Sequence, residues 1–102
     1  MMDIKLKPVT KYRENHIRTK VVNYLKRKRV MYATFATAHY PDIVIFANGA
    51  CTLIEFKAYK DGAYKLTSGQ TQIIKKLKKQ DIYVLVMDNN SDYETILNMR
   101  LA

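Results

Sequence analysis

Two carboxylates and an amine, Asp42, Glu55 and Lys57, are the residues of this chain whose types and spacing best fit catalytic work. Asp42 opens one apolar run, Asp42–Ala47 (DIVIFA), and Glu55 and Lys57 close another, Ala50–Ala58 (ACTLIEFKA). Asn48-Gly49 joins the two runs, and Asn-Gly is the strongest short-range signal for a type I′ hairpin turn, which needs positive φ at both positions. Such a turn pairs Ala47 with Ala50, and the same register sets Asp42 opposite Glu55. Side chains alternate along strands, so Asp42, Val44 and Phe46 share a face with Cys51, Leu53, Glu55 and Lys57. Opposed residues hold their Cβ atoms about 4.5–5.5 Å apart, so the two carboxylates repel unless a cation lies between them. Oxygen-rich, cysteine-free ligation with room for water and phosphate suits Mg2+ or Mn2+. Phosphodiester hydrolysis uses the same parts: a metal to stabilise developing charge, and a lysine to orient the attacking water or steady the phosphate.

The competing structural reading is a surface salt bridge, with Glu55 and Lys57 stacked on a solvated face. Against it stands the rest of that face, Val44, Phe46, Cys51 and Leu53, which is apolar. Three charges at the end of a core face are costly and usually have a purpose.

The elements that must position these residues follow from periodicity. Residues 1–11 carry Pro8 and little pattern, a lead-in segment. From Glu14, the apolar residues Ile17, Val21, Val22 and Leu25 recur at helical spacing up to a basic run near Arg29. Val30–Ala38 (VMYATFATA) is aromatic and β-branched and reads as a strand, broken by His39-Tyr40-Pro41. The hairpin of Asp42–Ala47 and Ala50–Ala58 comes next, then a Gly-containing loop over Tyr59–Gly69. Gln70–Gln80 (QTQIIKKLKKQ) sets Ile73, Ile74 and Leu77 on one side of a helix and most lysines on the other. Ile82–Met87 is a continuous apolar strand suited to a sheet interior, and Ser91-Asp92-Tyr93-Glu94 matches a capping box opening a last helix. The order is helix, three strands, helix, strand, helix. That pattern predicts an α/β fold: one domain with a mixed sheet, helices on its faces and a C-terminal helix.

Composition limits the partners. The 102 residues include 18 Lys and Arg against 9 Asp and Glu, a net charge of +9. Much of it comes from Lys26-Arg27-Lys28-Arg29, Lys75-Lys76 and Lys78-Lys79. Such an excess attracts polyanions, nucleic acid above all, although lysines also simply solubilise helices. No apolar run is long enough to span a bilayer, and the N-terminus has no apolar core of a secretory signal. The single Cys51 forms no internal disulfide, and no Cys/His cluster suggests zinc. The expected setting is a reducing compartment, with no membrane partner.

Pro41-Asp42 followed by Glu55-Phe56-Lys57 resembles the PD-(D/E)xK nuclease superfamily, with its restriction-endonuclease-like αβββαβ core. The fuller pattern is similar to the virus-type replication-repair nuclease (VRR-NUC) domain: a Glu in the first helix, Pro-Asp, Glu-x-Lys, then Leu-Ser-x-x-Gln opening the next helix. Here these are Glu14, Pro41-Asp42, Glu55-Phe56-Lys57 and Leu66-Thr67-Ser68-Gly69-Gln70, with Thr67 in place of the usual Ser. The resemblance implies that Asp42, Glu55 and the backbone carbonyl of Phe56 bind the metal, Lys57 acts on the water, Gln70 helps orient it, and Glu14 completes the site, directly or through a water. Read without the family, Glu14 is an ordinary first-turn acid and Gln70 a polar residue starting a helix. The resemblance further implies a stand-alone, phage-like endonuclease, cytoplasmic in a bacterium or its phage-infected host. It would act as a homodimer on branched DNA in the manner of a Holliday-junction resolvase. A non-catalytic basic module that binds nucleic acid explains the charge equally well but leaves the carboxylate pair without a role.

His39, just before the Pro-Asp step, is either near the bound phosphate or a solvated loop histidine. The tyrosines are either base-stacking platforms or packing residues, and Cys51 reads as a small core hydrophobe.

Overall fold

The computed structural model describes residues 9–58 and 65–101, residues 9–15 by their backbone alone. Its elements are α1 (Val9–Arg27), β1 (Met31–Thr34), β2 (Ile43–Ala47), β3 (Ala50–Phe56), α2 (Ser68–Lys79), β4 (Tyr83–Met87) and α3 (Tyr93–Leu101). This is the order that periodicity predicts. The four strands form one mixed sheet in the order β1-β2-β3-β4, antiparallel from β1 to β3 and parallel between β3 and β4. Parallel neighbours need a crossover, and α2 supplies it.

Alternation along the strands divides the core in two. Ile43, Ile45, Ile54, Phe56 and Met87 pack with Ile17, Val21, Tyr24 and Leu25 of α1 and Leu97 of α3. Val44, Leu53 and Val84 pack on the other face with Ile74 of α2, flanked by Cys51, Leu66, Leu77 and Val86. α2 keeps Lys75, Lys76, Lys78 and Lys79 exposed, the amphipathic division read from its sequence. Tyr24 of α1 donates its hydroxyl to the Asn98 side-chain carbonyl of α3, and its ring meets Tyr93 edge-on at 5.8 Å between centroids. No helix among the described residues is long and apolar enough to cross a membrane.

The Asn48-Gly49 turn has φ of 54° and 76°, the paired positive values of a type I′ hairpin. The register runs from Ala47↔Ala50 to Ile43↔Ile54, as the turn dictates.

Element ends differ from expectation in physically readable ways. α1 begins at Val9 rather than after the lead-in of 1–11. Its first turns hold few apolar residues, so periodicity is silent there, yet nothing in them resists helix propagation. β1 stops at Thr34 instead of reaching Ala38. Its partner β2 begins only at Ile43, so beyond Phe35, whose N–H reaches Asp42 O at 2.9 Å, strand propensity finds no neighbouring strand to pair with. β3 ends at Phe56 and α2 starts two residues early, at Ser68, capped by Thr67. The expected loop from Tyr59 falls outside the described residues until Lys65. The cap of α3 is Asp92 rather than Ser91: its carboxylate accepts from the Thr95 N–H at 3.3 Å and hydroxyl at 2.9 Å, while the Ser91 hydroxyl accepts from the Asp88 N–H at 3.0 Å.

α1 and α2 end alike. Val30 N–H returns to Leu25 O at 2.9 Å and Arg29 N–H to Lys26 O at 3.1 Å; Ile82 N–H returns to Leu77 O at 3.1 Å and Asp81 N–H to Lys78 O at 3.0 Å. These are paired Schellman bonds, which force the residue after the cap into the left-handed region. Arg29 (φ 58°) and Asp81 (φ 62°) occupy those positions without being glycine. Asp81→Gly is therefore expected to stabilise the chain by roughly 0.5–1 kcal/mol, a rise in melting temperature of about 2–8 °C by thermal unfolding. A fall would show that the aspartate side chain contributes more than its backbone costs.

Candidate functional site

The three sequence-predicted charges converge at one end of the sheet, where β3 finishes and α2 begins. Phe56 sets their directions. Its ring is fully buried on the α1 face, so strand alternation turns Glu55 to the opposite face, that of α2. Glu55 is only 4% exposed, and a carboxylate so buried needs hydrogen-bonding partners.

Gln70 supplies one. Its Nε2 donates to Glu55 Oε2 at 3.0 Å, and its Oε1 accepts from Lys57 Nζ, also at 3.0 Å. The orientation of that amide is fixed by a third bond: Oε1 accepts the Thr67 backbone N–H at 3.0 Å, while Thr67 Oγ1 accepts the Gln70 N–H at 3.1 Å. This reciprocal capping box at the start of α2 demands an oxygen facing Thr67, which leaves the NH2 end for Glu55. One glutamine thus caps its own helix and joins an acid to a base across a tertiary contact. Thr67, in place of serine, still provides the capping hydroxyl.

Asp42 arrives by a different route from the one alternation suggests. In an unbroken ladder it would face Glu55 directly. Instead its N–H bonds Ile54 O at 2.9 Å, one residue out of step with the register that holds through Ile43. A slip of this kind re-aims a side chain, as β-bulges commonly do beside functional sites. The Asp42 carboxylate consequently accepts the Phe56 N–H at 2.7 Å through Oδ2 and Arg18 Nη2 at 3.1 Å through Oδ1. It therefore lies against the peptide between Glu55 and Phe56, and is held from the α1 side rather than laid flat on the α2 face. Pro41, fully buried, anchors the segment that leads into it.

Arg18 is a site residue that the sequence reading missed. It is half-buried on α1, bridges to Asp42, and stands over the Phe56 ring at 5.3 Å from the centroid. Its only local signal is its place beside Ile17, Val21 and Leu25, the buried stripe of the helix. Glu14 lies on the backbone of α1, and its side chain is outside the described part of the structure. Phe56 brings its backbone carbonyl to the same strand end.

The donors available to a cation are the carboxylates of Asp42 and Glu55 and the Phe56 carbonyl, all oxygen. Among the described residues no three His, Cys, Asp or Glu side chains form a metal cage. A donor set of this kind fits Mg2+ or Mn2+, which bind through one or two carboxylates and keep several waters. Each Asp42 oxygen accepts one bond and retains a lone pair, so its bonds to Arg18 and Phe56 do not exhaust it.

His39 also falls near this corner. It is exposed, with φ of 68°, and its ring packs against Gly69 in the first turn of α2. Cys51 is half-buried beside the apolar cluster beneath α2, as a small hydrophobe would be. Of the tyrosines, Tyr24 is core, and Tyr83 carries Arg100 over its ring at 4.0 Å.

Compared with models of known protein families and with curated proteins, the chain gives no match.

Proposed function

We propose that this chain is a metal-dependent DNA endonuclease of the PD-(D/E)xK type, with a restriction-endonuclease-like core and a VRR-NUC-like motif order. The observation that carries the reading is the Gln70 amide, bonded at once to Glu55 and Lys57. Glu55 and Lys57 share one motif of the resemblance, whereas Gln70 belongs to another, 13 residues beyond Lys57, and has no reason in local sequence to meet them. The four-stranded mixed sheet and the element order support the same reading.

Asp42, Glu55 and the Phe56 carbonyl would hold Mg2+ or Mn2+, with Glu14 contributing from α1. Such an ion neutralises charge developing on the phosphate and makes water a stronger nucleophile near neutral pH. The protein's own groups do the rest. Lys57 Nζ, held by Gln70, donates a hydrogen bond to the incoming water or to a non-bridging phosphate oxygen. Water adds to phosphorus and gives up a proton to solvent, the P–O bond opposite breaks, and the departing oxygen takes up a proton from solvent. Glu55, held away from bulk water, keeps its carboxylate oriented without reorganising during the reaction, which is where preorganised sites gain most. Arg18 keeps Asp42 in place from the other side.

DNA is the proposed substrate because the net charge of +9 and the exposed lysines of α2 favour a polyanion. α2 starts at Gln70's end of β3 and hands over to β4, whose Tyr83 pairs with Thr52. Its lysines therefore carry positive charge away from the reacting end, along a path a duplex backbone can follow. A homodimer on branched DNA belongs to this reading, since a two-fold pair of sites makes two symmetric incisions.

Purified protein incubated with labelled four-way junction, flap and linear duplex, with Mg2+, Mn2+ or EDTA, tests the proposal. Cutting that needs the metal is expected, with paired nicks on the junction and a dimeric mass by light scattering. Binding without cutting in every metal would replace the nuclease with a non-catalytic DNA-binding module.

A further inference from the structure

His39 is the polar residue of this corner that the fold does not explain. Among the described residues it makes no hydrogen bond and no ion pair, yet it is held firmly. Its backbone sits at φ 68°, a left-handed conformation that costs free energy in a non-glycine residue. The turn that imposes it is closed by the Tyr40 N–H on Thr37 O at 3.3 Å and is followed by the buried Pro41. On its other side the ring rests on Gly69. A Cβ added there would stand 2.6 Å from Nδ1, 2.7 Å from Cγ and 2.8 Å from Cε1. Only glycine at position 69 lets the imidazole lie this close to the helix.

A ring so placed has Asp42 three residues ahead in its own chain and Gln70 immediately after the glycine it covers. It is exposed, and the turn of α2 that it covers leads directly into Gln70. An imidazole N–H in that position is a hydrogen-bond donor with no acceptor among the described residues. We propose that His39 contacts a phosphate oxygen of the DNA strand bound at this site, and that Gly69 exists to seat it. This rests on the nuclease reading for its substrate, but it is a statement about binding and can be measured without cleavage.

His39→Asn is the informative variant, because asparagine accepts the left-handed backbone while removing the ring. Binding of a fluorescently labelled duplex and junction in EDTA, followed by anisotropy, is expected to weaken about tenfold or more. Thermal unfolding should stay at the wild-type midpoint. Gly69→Ala, which pushes the ring off its seat, should weaken binding similarly, and the double variant should be no worse than His39→Asn alone. Replacing single phosphates by neutral methylphosphonates should reveal one position that costs wild type affinity and leaves His39→Asn unaffected. Unchanged affinity in His39→Asn overturns the proposal, whether or not the wild type cuts. If wild type binds but never cuts while His39→Asn binds weakly, the contact stands and the nuclease reading falls. If wild type binds no DNA, both fall.

Discussion

Lys57→Ala is expected to lower metal-dependent cleavage on the order of 10²–10³-fold or more while leaving the chain folded. The separation of activity from stability follows from what the amine touches. Lys57 is half-buried, and its Nζ donates to Gln70 Oε1. Removing it does not orphan that oxygen, because the Thr67 N–H still bonds it in the capping box. Gln70 also keeps its bond to Glu55. The loss to the fold is a single partly exposed hydrogen bond and some charge compensation near a buried acid, about 1 kcal/mol. A drop in melting temperature of roughly 4–8 °C is the corresponding scale.

Loss at the reacting phosphate is of another order, since a donor aimed at developing charge acts where water is displaced. Lys57→Arg is the sharper control: it keeps the charge but replaces a compact ammonium by a planar fork that cannot sit on Gln70 in the same way. Substantial inactivity of both variants, with melting no more than about 4–8 °C below wild type, would assign the effect to the amine itself. Full activity of Lys57→Ala would remove Lys57 from the mechanism and weaken the nuclease proposal as a whole.

What the sequence makes legible here is whatever local chemistry decides. Asn48-Gly49 has few backbone options, so the turn, and with it the register from Ala47↔Ala50 to Ile43↔Ile54, follow from two residues. Strand alternation then divides Val44 and Leu53 from Ile43 and Ile54 and assigns them to opposite cores. Asp42 is where that logic stops. Alternation assumes an unbroken ladder, but the slip at Ile54 and the pull of Arg18 turn its carboxylate toward the Phe56 N–H. No dipeptide announces such a kink. Gln70 is a second limit of a different kind. Its capping role is readable once Thr67 is seen as the N-cap. Its reach to Glu55 and Lys57 depends on how Ile74 seats α2 against Leu53 and Val84, a tertiary fact. Arg18 was missed for the same reason, because a charged residue beside a buried stripe looks like any solvated helix position until a partner from another element faces it.

Phe56→Ala should be the most damaging substitution to the fold, and its effect on activity should have a distinct origin. The ring is fully buried among Ile17, Val21, Ile43, Ile54, Met87 and Leu97. Truncating it removes the transfer free energy of the ring and leaves a cavity, about 3–5 kcal/mol together. Domains of this size hold about 5–15 kcal/mol in all, so the melting temperature is expected to fall by roughly 15 °C or more. Phe56→Leu, which keeps most of the volume, should cost far less. The ring also anchors the strand that aims Glu55 and Lys57 to the other face, and gives Arg18 the surface it stands on while holding Asp42. Cleavage by Phe56→Ala should therefore track its folded fraction, returning in large part when the assay is cooled below its own melting transition. Lys57→Ala should stay inactive at every temperature. A Phe56→Ala protein that melts like wild type would place the ring outside the core. One that is fully folded yet wholly inactive when cold would mean that the aromatic ring, and not only the strand it anchors, is needed to hold Asp42 and Glu55 in working positions.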